Sequence, residues 1–543
     1  MSDQDAEALR RRRATYHTLA IVALALTAGR ISVVTGRDNL TAFLSANDRS
    51  RWCTVASLVE HGTYAIDKQI AIVDPVKRHI HPWQTIDKVR HVDAEGKQRY
   101  YSSKPPLFPT AIAGVYKVVN LGTGMTLTDQ PIYVSRIVLA LVNLPLLALF
   151  FYATLGCIER VGRGDWSKRI AAMGCCFGTM LLPFSISLNN HLPAATATAV
   201  AMWVYLIASQ RKSSEEPESE SRENASRLVS PWMWGLAGVS AALAAANELP
   251  ALSMTVFWFG LFAWLDRRSI LPFIAGIAIV AVAFFGTNWI AHHSLRPPYA
   301  HRGNGAIIAE LPGQEDSPDD RVLAEASRAL TDAAIADATS ELSLNSSDEA
   351  GRWIVRLDER QYALLKTESG WDLRHWDDWY EYPGTYWKDG QRRGVDKGEA
   401  SRITYFAQMT VGHHGIFSLT PLWILMPLGL IAGVASGSSD YRRLALAILV
   451  ATTVCFLFYL NRPLIDRNYG GVSICFRWLL WFAPLWLVVS VPVMEWFRSG
   501  VVRRGFLYAL LAMSVFSMSA SLETPWQSPW IYQFWLFLGW IGV

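Results

Sequence analysis

Long apolar runs separated by short polar corners recur along the whole chain. The clearest lie at 17–36, 133–156, 170–187, 270–290, 416–435, 444–460, 475–496 and 505–521, with shorter ones at 192–208, 232–247 and 251–265. Crossing the hydrocarbon core takes about 20 mostly apolar residues in a helix, so the pattern predicts an all-α polytopic membrane protein. The run 106–121 is short, carries Lys117 and begins at Pro105-Pro106, and it is expected to form a re-entrant or interfacial helix. An aromatic run at 530–543 is a candidate further span, which sets the expectation at about 11–12 transmembrane helices.

Between the spans the period changes. Asn47 is placed to cap a helix from Asp48 to about Glu60. The apolar positions Trp52, Val55, Ala56 and Val59 share one face of it, as expected of a helix lying in the membrane interface. Alternation predicts two strands around 84–92 and 97–103, joined by Asp93-Ala94-Glu95-Gly96. In the polar stretch 292–415, residues 302–350 are poor in aromatics and are expected to be flexible. Strands are expected near 352–357, 361–366 and 371–376, and the segment Trp376-Asp377-Asp378-Trp379-Tyr380-Glu381-Tyr382-Pro383 closes the loop. The expected organisation is a transmembrane module over 1–291 with an outer loop at 37–132, an outer loop over 292–415, and transmembrane helices over 416–543.

Charge sets the expected orientation. Short cytoplasmic loops carry an excess of Lys and Arg. Arg10 to Arg13 precede the first span, and Arg160, Arg163, Lys168 and Arg169, Arg211 and Lys212, Arg267 and Arg268, Arg442 and Arg443, and Arg498, Arg503 and Arg504 mark the other basic corners. Eleven spans, without 106–121, put all of them and the N-terminus in the cytoplasm. The opposite face then receives 37–132, the corners Asn189-Asn190-His191 and Asn247-Glu248, 292–415 and 461–474. The first apolar run is too long for a signal-peptide core and no small-residue cleavage site follows. A multi-pass protein of the plasma or inner membrane is expected.

Composition agrees with lipid as part of the solvent. Of 543 residues, 51% are hydrophobic and only 18% charged, against roughly 25% charged in soluble domains. The net charge of +4 is spread over short loops, so nucleic acid is not an expected partner. The six cysteines show no CxxC spacing and read as small buried hydrophobes.

The spans are nearly empty of ionisable residues, which argues against a proton relay or transport path. Chemistry concentrates on the outer side. Asp48 follows the first span at a helix start, where the dipole favours a carboxylate. It suits a base or an anchor for an acceptor hydroxyl, and equally an ordinary capping-turn acid. Lys104 stands before Pro105-Pro106-Leu107 where the chain enters the membrane, placed for a lipid phosphate or for simple snorkelling. Arg136 and Arg477 sit at outer membrane boundaries. His191, His292-His293 and His413-His414 lie in outer segments without HxxxH or carboxylate spacing, so hydrogen bonding to sugar or phosphate is favoured over metal. Of 23 tryptophans, most are expected in interfacial belts, although Trp52, Trp83, Trp371, Trp376, Trp379 and Trp387 fall in outer segments. No P-loop, GxGxxG in a strand–helix setting or GxSxG is present, so no nucleotide cofactor is expected and a transferase would need a membrane-borne donor.

An apolar span, then Asn47-Asp48-Arg49-Ser50-Arg51-Trp52, a loop ending Ser103-Lys104-Pro105-Pro106-Leu107, and a span led by Arg136 together resemble the GT-C glycosyltransferases. The likeness is greatest to the protein O-mannosyltransferase and lipid A aminoarabinose transferase branch and covers about residues 17–292. The resemblance implies a GT-C-like bundle whose outer loops hold short helices and small β elements. It implies that Asp48 is the catalytic or acceptor-orienting carboxylate and that Lys104 contacts the phosphate of a polyprenyl-phosphate-linked sugar donor. Many relatives have Asp-Glu where this chain has Asp48-Arg49, and some have Glu where it has Ser103. Both departures weaken the case for a metal, and the large C-terminal soluble domain of some relatives is not expected.

The sequence therefore predicts an inverting glycosyltransferase working on the non-cytoplasmic face, with Asp48 as base or acceptor anchor. Lys104, Arg136 and Arg477 are its expected donor-phosphate contacts. Arg51, Asn190, His191, Glu248, His413 and His414 are expected to bind sugar or acceptor. The acceptor is a glycan, lipid or protein, within membrane lipid. The rival reading is a non-catalytic flippase for lipid-linked sugars, or a glycan-assembly scaffold.

Overall fold

Seven of the eleven predicted runs form helical segments long and apolar enough to cross a membrane. They are Ala6–Val33, Pro131–Val161, His191–Arg211, Arg267–His292, Ser439–Leu460, Arg477–Trp496 and Val501–Ser519. The structure is a computed structural model that describes residues 3–213, 230–313, 315–337, 342–347, 349–388 and 390–541. The chain divides into two compact units: residues 1–45, 118–283 and 394–543 form one, and residues 46–117 and 284–393 the other.

In the first unit the helices differ in surroundings. The apolar core of His191–Arg211 is 83% buried, whereas that of Ala6–Val33 is only 22% buried. The former is a central helix and the latter leaves most of its side chains exposed. Small residues bring the central helix close to its neighbours Pro131–Val161 and Pro231–Asn247: Ala194, Ala195, Ala199 and Ala201 are fully buried. The approach of Pro231–Asn247 to the helix starting at Ile270 needs glycine on both sides. A Cβ at Gly238 would run into the Phe273 carbonyl, and one at Gly276 into the Gly235 carbonyl.

Four predicted spans are shorter or broken. The runs 232–247, 251–265 and 416–435 become Pro231–Asn247, Leu249–Leu265 and Pro421–Ser436. The run 170–187 is not one helix: Asp165–Phe177 ends at Gly178 and only the short turn Leu181–Phe184 follows. Backbone that leaves a helix inside a bundle must find other partners. Here Asn143 Nδ2 donates to the Ser185 and Ser187 carbonyls at 2.8 and 3.1 Å, and Asn189 Nδ2 donates to the Phe184 carbonyl at 2.5 Å. The aromatic run after residue 530 forms only the eight-residue helix Trp530–Phe537. That is about 12 Å of helix against a hydrocarbon core of about 30 Å, so it is not a span. The 106–121 run forms one helix, Leu107–Thr123, of 17 residues.

The second unit holds helix α2, Ala46–His61, and the hairpin of β1, Lys88–Val92, with β2, Gln98–Ser102. The hairpin turn falls at 93–96, as the alternation predicts. Helix α2 begins before Asn47, which is therefore inside the helix rather than its cap. It is also not one-sided: Asn47, Asp48, Ser50 and Arg51 are buried along with Trp52, Val55 and Ala56.

The same unit contains a five-stranded antiparallel sheet. Its strands are β3 (Arg302–Pro312), β4 (Leu342–Ser346), β5 (Arg352–Leu357), β6 (Arg360–Lys366) and β7 (Gly370–Asp378), in the order β3-β7-β6-β5-β4. The last three strands lie where the alternation predicts them. The expected flexible segment 302–350 instead supplies both edge strands and the helix Asp320–Asp332. Val322, Ala326 and Leu330 of that helix repeat every four residues and are buried with Leu311, Val355, Leu364, Trp371 and Leu373. The segment is polar because its elements are at the edge and on the outside of the sheet, not because it lacks structure.

Candidate functional site

In the second unit, Asp48 lies in the first turn of α2 and is fully buried. The next turns fasten that helix to the hairpin. Arg49 Nη1 donates to the Gln84 carbonyl at 2.9 Å, Thr85 Oγ1 donates to the Ala46 carbonyl at 2.8 Å, and Ser50 Oγ donates to the Asp87 carbonyl at 2.5 Å. Ser50 Oγ also lies 2.6 Å from Ser102 Oγ at the end of β2. The same Asp87 carbonyl accepts from the Ser103 amide at 3.1 Å. Lys104, one residue on, has its Nζ 3.2 Å from Asp87 Oδ1. Asp87, which no sequence motif marks, thus joins the helix that bears Asp48 to the loop that bears Lys104. Arg51 donates to the Asn47 side chain and carbonyl within α2.

The hairpin continues into a stack of rings. His91 lies between Tyr101, with centroids 4.2 Å apart, and Trp379, at 4.1 Å; Trp379 in turn stacks on His301 at 3.5 Å. His91 Nδ1 donates to the Val92 carbonyl at 2.8 Å, which leaves Nε2 to accept from His292 Nδ1 at 3.1 Å. Burial holds the His91 ring neutral, with its pKa down to about 4. Asp377 receives His301 Nδ1 at 2.5 Å and Arg296 Nη2 at 2.7 Å. Burial opposes its charge, but those two hydrogen bonds outweigh it and keep the carboxyl below its ordinary range. The closing segment 376–383 is where sheet and hairpin join: the Arg90 amide donates to the Trp379 carbonyl at 2.8 Å.

In the first unit, four of the predicted residues come together. Arg477 Nη1 lies 2.8 Å from His191 Nε2, His191 Nδ1 lies 2.6 Å from Glu248 Oε1, and Asn190 Nδ2 donates to the same oxygen at 2.6 Å. A guanidinium only donates, so Nε2 is the accepting nitrogen and Nδ1 is the nitrogen that lies beside the carboxylate. Arg477, His191 and Glu248 are buried. Arg477 Nε donates to the Gly470 carbonyl at 2.7 Å, and its guanidinium lies over Trp526 at 4.8 Å.

The stretch Arg467-Asn468-Tyr469-Gly470-Gly471 is the loop that receives Arg477. Asn468 Oδ1 accepts from the amides of Gly470 and Gly471 at 2.8 and 3.2 Å. Gly470 has φ +95°, and a Cβ there would collide with the Arg477 side chain. His413 and His414 form a second group: their Nδ1 atoms are 2.5 Å apart and His414 stacks on Tyr469 at 4.1 Å. Burial lowers the His413 pKa to about 4.

Arg136 joins neither group. Its Nε and Nη2 donate to the Val34 carbonyl at 3.0 and 2.8 Å, at the C-terminal end of α1, Asp3–Val33, where helix carbonyls lack partners. Asp87, Asn143, Ser50 and Gly470 are the residues that sequence reasoning missed. The roles of Asp87, Asn143 and Ser50 come from main-chain contacts about 40 positions apart in sequence, for which no local signal exists; that of Gly470 comes from its positive φ and its contact with Arg477. Among the described residues, no group of three His, Cys, Asp or Glu is placed to hold a metal ion.

No family model matches the sequence, and no curated protein does. Solved structures with a similar course of the chain include the oligosaccharyltransferase of Archaeoglobus fulgidus in its apo form, at 12% identity and a TM-score of 0.48. The same enzyme tethered to an acceptor peptide containing the NVT sequon gives 12% and 0.43. Its complex with an inhibitory peptide and a dolichol-phosphate gives 10% and 0.42. Each match covers 97% of this chain and 57% of the other, so the chain spans little more than half the length of those structures. They do not bear on which branch of the GT-C enzymes the sequence resembles.

Proposed function

We propose that this chain is an inverting membrane glycosyltransferase that moves a sugar from a polyprenyl-phosphate donor to an acceptor on the non-cytoplasmic face. The observation that carries the reading is that one residue joins the helix bearing Asp48 to the loop bearing Lys104. The Asp87 carbonyl accepts from Ser50, two residues after the buried Asp48, and from the Ser103 amide beside Lys104, while the Asp87 carboxylate pairs with the Lys104 ammonium. Asp48 and Lys104 are the two positions that the resemblance to GT-C enzymes singles out.

In the reaction, the acceptor oxygen or nitrogen forms its bond to the anomeric carbon while the bond from that carbon to the phosphate oxygen breaks. The acceptor proton passes to Asp48, and the electron pair leaves with the polyprenyl phosphate. Lys104 stabilises the charge that grows on that phosphate. Arg51, in the same helix as Asp48, contacts sugar or acceptor in this reading.

The test is transfer of radiolabelled sugar from a panel of polyprenyl-phosphate donors, in membranes carrying wild type, Asp48→Asn or Lys104→Ala. General-base catalysis is worth roughly 10²–10⁴-fold, so Asp48→Asn should lose about that much turnover while remaining folded. Wild-type turnover in Asp48→Asn would remove its assignment. No transfer by wild type from any donor would favour the flippase reading, which a lipid-translocation assay then decides.

A further inference from the structure

Asp87 does two separable things. Its carbonyl accepts from Ser50 Oγ and the Ser103 amide, joining α2 to the Lys104 loop. That role belongs to the main chain and any residue could fill it. Its carboxylate faces Lys104 Nζ at 3.2 Å, and only an acid can fill that role. The two side chains are 12% and 20% exposed, so the pair is shielded yet within reach of a ligand.

We propose that Asp87 is a positioning latch for Lys104. Its carboxylate holds the ammonium in place before a phosphate-bearing lipid arrives, gives way to the phosphate, and takes the ammonium back when the lipid leaves. The inference rests on Lys104 being the donor-phosphate contact.

The chemistry of the two lipids gives the latch a use. In the donor, the phosphate is a diester with one negative charge. After transfer it is a monoester with about −1.5 to −2 at neutral pH. An unopposed ammonium would therefore hold the spent lipid more tightly than the substrate. A fixed carboxylate at the same ammonium competes with both anions and repels the more highly charged one more strongly. Asp87 thus favours release of product over retention, and it keeps Lys104 oriented between turnovers.

The experiment measures binding of farnesyl phosphate, a short polyprenyl monoester, to the full chain in detergent. Wild type, Asp87→Asn, Asp87→Glu and Lys104→Ala are compared by titration calorimetry. Asp87→Asn is expected to bind about three- to tenfold more tightly than wild type. Asp87→Glu should return towards wild type, and Lys104→Ala should lose most binding. Asp87→Ser also removes the charge and is read in the same way if the asparagine variant does not fold. A neutral variant that folds and binds no more tightly than wild type overturns the latch. If Lys104→Ala loses binding in that case, the donor-phosphate role of Lys104 stands and the latch alone fails. If Lys104→Ala binds like wild type, the phosphate role itself fails, and the latch with it.

Discussion

Arg477 donates from Nη1 to His191 Nε2 at 2.8 Å, and this contact sets the tautomer of a buried histidine. The ring then turns Nδ1 to Glu248 at 2.6 Å, so a carboxylate and a guanidinium share one imidazole. Removing the ring nitrogens while keeping the ring leaves both charges with one partner fewer. His191→Phe should therefore cost about 1.5–3 kcal/mol, the range for hydrogen bonds to charged groups. Thermal unfolding in detergent checks it, and an unchanged melting temperature would mean that the three residues are not coupled.

Gly470 is the position where the Arg477 loop has no tolerance. Its φ of +95° disfavours any side chain, and a Cβ would press on the guanidinium. Gly470→Ala should destabilise the protein by roughly 1–3 kcal/mol. Gly500, also at positive φ, has open space around it. Gly500→Ala is the matched control and should cost less in the same unfolding assay.

The His91 stack predicts an acid limb. Burial lowers its pKa from 6.5 to about 4, so between those values the unfolded chain binds the proton more readily than the folded one. Stability is therefore full above about pH 6.5 and falls as pH drops through that window, by up to about 1.4 kcal/mol per pH unit. His91→Phe keeps a ring between Tyr101 and Trp379 but removes the titrating group. Denaturant midpoints taken from pH 7 to 4 should fall less steeply in that variant than in wild type.

Orientation is open to labelling. The charge bias places the corner at 162–164 in the cytoplasm. Gly164 is a poor probe site, because a Cβ there meets the Glu495 carboxylate, whereas Arg163 is exposed. A cysteine at position 163, in a background without reactive native thiols, should react with an impermeant maleimide only from the cytoplasmic side. All six native cysteines are buried, which favours a clean background. Labelling from the outside would invert the proposed topology and the face assigned to Asp48.

Much of this architecture was legible in the chain itself. Runs of apolar residues mark spans because lipid offers backbone groups no partners, and helices satisfy them locally. The hairpin around 93–96 and strands β5, β6 and β7 were legible for a similar reason: alternation records which side of each residue faces a core. Asp48 and Lys104 stood out through their places beside membrane boundaries and through a family likeness. Where a local pattern was weak, the reading failed. The edge strand β3 and the helix Asp320–Asp332 look like flexible polar chain because most of their side chains face solvent. Only Leu311, Val322, Ala326 and Leu330 of these two elements are buried.

Tertiary structure decided the rest. That 170–187 is a broken helix depends on Asn143, an amide in a different span that satisfies the freed carbonyls. That Asp87 joins the helix of Asp48 to the loop of Lys104 depends on a carbonyl accepting from Ser50, 37 positions away in sequence. That Arg477, His191 and Glu248 form one chain depends on three segments meeting, with a separation of 286 positions between the first two. Hydropathy and local period are properties of neighbours in the chain, so sequence alone determined the membrane class and most elements. Partners in a hydrogen bond are neighbours in space, and which ones meet is decided only once the helices have packed.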